Sequence, residues 1–213
     1  CFRWSSRTLV SFAVEVIFYR RNMKPWLKPV VFTLCLLPLA WLVFALLMDR
    51  LGANPIEALT RDTGEWALRL LLVTLCMTPL RRFMGWPWPL RIRRMLGLFA
   101  FFYACVHLST YLWLDQFFDW GEIGRDILKR PFITVGMLAF ALLTPLAATS
   151  NRAMIRRLGR NWARLHQLVY VITALAVLHF WWLVKADVRE PLIYALLFLF
   201  LMLLRWRPLV RRL

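Results

Sequence analysis

The chain has 213 residues, 61% of them hydrophobic and 12 of them Trp, with a net charge of +17 and a mean hydropathy of +0.60. That composition excludes an ordinary soluble domain and describes a polytopic membrane protein. The positive charge does not mark a nucleic-acid partner, because it is sorted between alternate loops instead of covering one surface.

The first 22 residues stand apart from the rest. They open on Cys1, and their apolar stretch SFAVEVIF is too short, and too interrupted by Glu15, to span a bilayer. No small-residue cleavage signature follows it. Met23 then opens MKPWLKPVVF just ahead of a long apolar run. Residues 1–22 are therefore expected to be an upstream extension or a misassigned start, and residues 23–213 a single membrane domain. Omitting the extension removes four positive charges and one acid, so +17 becomes +14.

Apolar runs of about 17–25 residues, the length a membrane-crossing helix needs, predict an all-α bundle of six spans. They lie near residues 28–48, 66–80, 95–114, 132–148, 163–184 and 191–205. The second and sixth runs are short, so their helices must extend into flanking residues. Pro38, Pro79 and Pro145 fall within or at the ends of spans, where neighbouring helices can satisfy the freed backbone groups. Cys35, Cys76 and Cys105 are single residues within spans, with no Cys-x-x-Cys pair, and read as small apolar packers.

The loops orient the bundle. Segments 81–94, 149–164 and 205–213 carry Arg and no acid, and Arg20, Arg21, Lys24 and Lys28 precede the first span. Apart from Glu15, the acids fall in the alternate loops: Asp49, Glu57, Asp62 and Glu65; Asp115, Asp119, Glu122 and Asp126; Asp187 and Glu190. Positive residues stay inside, so both termini are expected in the cytoplasm. Trp162, Trp181 and Trp182 flank the fifth span as interfacial anchors.

All three histidines lie inside the apolar runs. An ionisable side chain at membrane depth is presumptively functional, and neutral imidazole is the usual protein ligand of haem iron. His107 follows Arg94 by 13 residues and His179 follows His166 by 13. At 1.5 Å per residue each lies about 20 Å deeper than its predecessor, toward the outer leaflet. His107 and His179 therefore share a level, and two imidazoles at one depth can supply both axial positions of a b-type haem. The alternative is that each histidine serves an interhelical hydrogen bond. Metal transport is a rival use, but no path of Asp, Glu or Met accompanies the histidines.

Helix phase complicates His166. Thirteen residues leave His166 and His179 about 140° apart on an ideal helix, so both face inward only if the bundle flanks the fifth helix on two sides, or if a local π-bulge or bend adjusts the phase. Arg93 precedes His107 by 14 residues and returns to within about 40° of its face. A guanidinium there suits a haem propionate or a flavin phosphate. Arg94 and Arg164 are further inner-side candidates. No Gly-x-Gly-x-x-Gly or Walker loop occurs, so nucleotide chemistry is expected on another polypeptide.

Three stretches carry a resemblance: RIRRMLGLFAFFYACVHLSTYLWLD, LLTPLAATSN and RRLGRNWARLHQLVYVITALAVLHFWW. They resemble the ferric-reductase-like transmembrane domain shared with NADPH oxidases and, within it, the MsrQ family. The resemblance implies an electron-transfer subunit of the bacterial inner membrane. Electrons would come from the quinone pool or a cytosolic flavin reductase and pass through b-type haem to a periplasmic molybdopterin methionine-sulfoxide reductase, which repairs oxidised envelope proteins. It implies haem b, one or two, and FMN. Carried onto this chain, His107 and His179 become outer haem ligands and His166 a candidate inner ligand. Arg93 stands where the oxidase pattern has another inner histidine. No catalytic residue is assigned, and the outer segment 115–130 is the expected docking surface. A stand-alone ferric or quinone reductase of the same fold, or a six-helix transporter, are the alternatives.

Overall fold

The computed structural model describes residues 25–184 and 187–210, the last five by their backbone alone. Residues 1–22, expected to be foreign, lie outside the described residues. Among those described, the chain is helical and forms no strand.

In chain order, α1 spans Leu27–Leu47, α2 Pro55–Met84 and α3 Trp88–Ser109, which runs on into a π-helical segment, Thr110–Asp115. Then come α4 at Trp120–Lys129, α5 at Pro131–Ala148, α6 at Arg152–Leu158, α7 at Arg160–Leu165, α8 at Leu168–Leu183 and α9 at Arg189–Val210. Four stretches are long and apolar enough to cross a membrane: Leu27–Leu47, Trp88–Asp115, Pro131–Ala148 and Arg160–Leu183. The helices around the two short runs extend past them, as required, to 30 residues in α2 and 22 in α9.

Local chemistry sets the helix ends. Asn54 caps α2 by accepting from Glu57 N at 3.3 Å, with Pro55 in the first turn, where its missing N–H is harmless. Gly85, at φ 70°, ends the same helix in a left-handed turn that a side chain would strain. Asp119 caps α4 through Gly121 N and Glu122 N. Gly159, at φ 51°, separates α6 from α7 ahead of the expected fifth span, and within that span a tight turn at His166 and Gln167 separates α7 from α8.

Two antiparallel pairs, α2 with α3 and α5 with α8, form the centre. Ala100, Tyr103 and Ile172 are almost wholly buried there. α1 and α9 lie outside and present Leu37, Trp41, Ile193 and Phe200 outward, a surface suited to lipid.

Tyr103 explains how α1 tolerates Pro38. Its hydroxyl donates to Cys35 O at 2.8 Å and accepts from Leu39 N at 3.1 Å. It thus bridges a helical rung that the proline has opened. Tyr103→Phe is expected to leave both backbone groups unpaired and to lower stability by about 1–3 kcal/mol. Thermal unfolding in detergent would register this as a lower midpoint, and an unchanged midpoint would contradict the bridge.

Candidate metal centre

α3 and α8 bring one histidine each to a common level. The ring centres of His107 and His179 are 6.1 Å apart, with planes inclined at 77°. His107 Nδ1 lies 2.8 Å from the Thr60 carbonyl in α2, and His179 Nδ1 lies 2.6 Å from the Phe132 carbonyl in α5. A carbonyl can only accept. Each Nδ1 therefore carries the proton and donates, leaving a lone pair on Nε2. Among the described residues no hydrogen bond engages either Nε2.

Two glycines make room for these rings. A Cβ on Gly64 would stand 2.9 Å from His107 Nδ1, and one on Gly136 would stand 2.8 Å from His179 Nδ1. Each glycine follows its acceptor carbonyl by one helical step of four residues, and each histidine follows that carbonyl by 47 residues. The pairs α2–α3 and α5–α8 are thus built on one plan.

The donor set fits haem. Metal–nitrogen bonds of about 2 Å, with about 1 Å more from each nitrogen to its ring centre, span about 6 Å. The observed separation is 6.1 Å. Among the described residues no group of three or more His, Cys, Asp or Glu gathers to chelate a bare ion. Haem iron already has four ring nitrogens and needs only axial partners.

Toward the opposite end of the same helices lies a half-open cleft of about 200 Å³, lined by Arg93, Arg94, Trp162, His166, Tyr170 and Arg205 among others. His166 sits in the tight turn, where Gln167 N bonds Arg164 O at 3.1 Å and Tyr170 N bonds Gln167 O at 3.1 Å. Such i→i+3 steps turn the chain about 20° further per residue than α-helical ones. The turn narrows the 140° phase difference without closing it. The His166 ring stacks on Trp162 at 3.9 Å, and its Nδ1 donates to Trp162 O at 3.1 Å. Ser150 Oγ approaches Nε2 at 3.4 Å but gives its proton to Leu146 O at 2.6 Å, so the Nε2 lone pair stays uncommitted. Arg93 Nη1 donates to Thr78 Oγ1 at 3.3 Å.

A family model described as the ferric reductase like transmembrane component matches residues 63–177. A relative from Rhodospirillum rubrum is 57% identical over 85% of this chain and 88% of its own length. One from Herminiimonas arsenicoxydans is 53% identical over 84% of each chain, and one from Caulobacter vibrioides is 53% identical over 83% of this chain and 84% of its own. Each of the three is called the heme-binding subunit MsrQ of a protein-methionine-sulfoxide reductase.

The chain belongs to the MsrQ family.

Seen as an MsrQ-family chain, it brings the sequence candidates together unevenly. His107 and His179 meet, while His166, Arg93 and Arg94 line the cleft toward the opposite end of the helices. Arg164 is exposed and does not line it. Sequence reasoning missed Gly64 and Gly136, which an ordered list of residues cannot distinguish from other helical glycines. It also missed Arg205, whose only linear signal was membership of a basic terminal segment.

Proposed function

We propose that this chain is a membrane electron-transfer subunit that binds haem b between His107 and His179 and supplies electrons to a periplasmic methionine-sulfoxide reductase. The observation that carries the reading is the facing imidazole pair, with both Nδ1 atoms committed and both Nε2 atoms free. The partner follows from the names of the relatives, which are subunits of such a reductase.

Haem b, when bound, supplies one-electron chemistry at its iron. The protein's part is to fix the imidazoles, keep water out and set the surrounding charge. Thr60 and Phe132 hold the rings by their carbonyls, and the apolar packing of α2, α3, α5 and α8 shields them. His166 is a candidate ligand of a second, inner haem. Arg93 and Arg94 then serve a propionate or the phosphate of FMN.

The sorted loop charges support six spans in a bacterial inner membrane with both termini cytoplasmic, α2 and α9 completing the set. The donor, the quinone pool or a cytosolic flavin reductase, meets the basic inner side. The molybdopterin partner docks outside, at 115–130. There Phe117 and Phe118 are exposed and take φ values of 46° and 60°. Such angles are uncommon for bulky residues.

The test is spectroscopic and functional. Purified protein should give a b-type reduced-minus-oxidised spectrum. After reduction, the signal should bleach only when the molybdopterin reductase and methionine sulfoxide are both added. Absence of a Soret band would remove the haem reading. Reoxidation by ferric citrate or a quinone, with none by the reductase, would favour a stand-alone reductase.

A further inference from the structure

The inner cleft is unlike the outer end of the molecule in how its cations are paired. On the outer side Arg61 and Arg69 are both bonded to Glu65, Arg61 also reaches Glu190, and Arg125 and Arg130 have carboxylate partners. The inner cleft is lined by three arginines, Arg93, Arg94 and Arg205, and by no carboxylate. Arg205 comes from α9 and lies with its guanidinium 5.2 Å from the centre of the Tyr170 ring. Its Nη atoms donate to neutral groups, the Tyr170 hydroxyl and the Leu75 carbonyl. The positive charges of Arg93 and Arg82 act on it as well.

Two polar atoms of this cleft's residues, Arg205 Nε and Thr74 Oγ1, are buried with no hydrogen-bond partner among the described residues. A guanidinium held among like charges in an apolar setting calls for a counter-anion, and unpaired donors call for acceptors. The rest of the lining is flat or apolar: the Trp162 and His166 stack, Leu71, Leu143 and Leu146. A ligand that satisfies both halves has a planar apolar body and an anionic edge.

We propose that the inner cleft is an anion site in which Arg205, together with Arg93 and the Thr74 hydroxyl, holds the phosphate or carboxylate of a planar redox group. That the ligand is a redox group rests on the electron-transfer function proposed above; that it is an anion rests on the cleft alone. Arg205 is the anchor because contacts from two neighbouring helices already orient its planar fork, so little side-chain freedom is lost when an oxyanion binds. Arg93 supplies a second charge from α3, and Thr74 a hydroxyl from α2. The shared chemistry is an oxyanion, which a flavin nucleotide presents as phosphate and a porphyrin as propionate.

The experiment uses the full chain purified in detergent. Haem per polypeptide is measured by pyridine haemochromogen, and flavin mononucleotide and riboflavin, which lacks the phosphate, are titrated separately. If the anion is a flavin phosphate, the mononucleotide binds at least about tenfold more tightly than riboflavin, and R205Q removes that preference with haem unchanged. If it is a porphyrin carboxylate, R205Q lowers haem by about one equivalent while the electron paramagnetic resonance signal of the outer bis-imidazole iron persists. R205K, which keeps the charge and loses the fork, falls between wild type and R205Q in either case. T74V, isosteric and removing a hydroxyl that bonds nothing among the described residues, shifts the same readout in the same direction by a smaller factor and decides the matter where R205Q does not stay monodisperse. Unchanged haem content together with unchanged flavin preference in these variants overturns the proposal. A wild-type protein without haem would instead overturn the electron-transfer reading, and the comparison of the two flavins would still test the anion site.

Discussion

His179→Ala and His107→Ala are each expected to abolish the b-type spectrum of the outer site, with haem retention at that site falling at least about a hundredfold. Each imidazole reaches the site from a different helix pair, so neither ring can substitute for the other. The free Nε2 atoms have no other donor close at hand: the His107 and His179 rings face one another at 6.1 Å, and no third His, Cys, Asp or Glu joins them among the described residues. With one imidazole removed, a haem held there would keep only one protein donor and would be bound more weakly. His166→Ala is the informative contrast. It should spare the outer low-spin signal and change only what the inner cleft binds. Haem content and electron paramagnetic resonance of the three variants check this. An outer signal that survives His107→Ala and His179→Ala together would show that the pair holds no metal.

The level shared by His107 and His179 was legible in the sequence because depth in a membrane helix is nearly linear in residue number, and loop charge gives an expected direction of travel. Residue counting from Arg94 and from His166 thus put His107 and His179 on one level, and their rings do face one another. Phase was less legible. An ideal helix separated His166 from His179 by about 140°, and the i→i+3 turn that breaks the fifth span at His166 has no local marker such as proline. Arg93 was found because it shares a helix with His107. Arg205 was not, since its approach to Tyr170 and Leu75 depends on how α9 packs against α8 and α2. The short apolar run required α2 to extend beyond it but not by how much: the helix continues for 30 residues. That length brings the Thr60 carbonyl to the level of His107, which uses it.

Gly64→Ala and Gly136→Ala are expected to weaken the outer site by about 10–100-fold in haem affinity, although neither residue touches the metal. In a helix the N–H of residue i+4 lies beside the carbonyl of residue i, so the Cβ at i+4 guards that carbonyl. With glycine there, the carbonyl has a lone pair open to a second donor, and the imidazole Nδ1–H takes it. Restoring the Cβ at Gly64 or Gly136 puts carbon 2.9 or 2.8 Å from Nδ1, closer than such atoms pack. The ring must withdraw, its Nδ1 bond lengthens, and Nε2 turns away from its partner. A weaker Nδ1 bond also makes the imidazole less basic, which favours ferrous iron and raises the midpoint potential of whatever haem remains. Helix propensity works the other way, since Gly→Ala inside a helix stabilises it by about 0.8–1 kcal/mol. Reduced haem binding in a helix that has gained propensity therefore traces to the ring. Gly124→Ala in α4 is the control, because its Cβ would meet nothing within 4 Å. Redox titration of the three variants separates the outcomes: Gly64→Ala and Gly136→Ala shift upward while Gly124→Ala does not. Three indistinguishable titrations would mean that the glycines are filler and the rings hold their place without them.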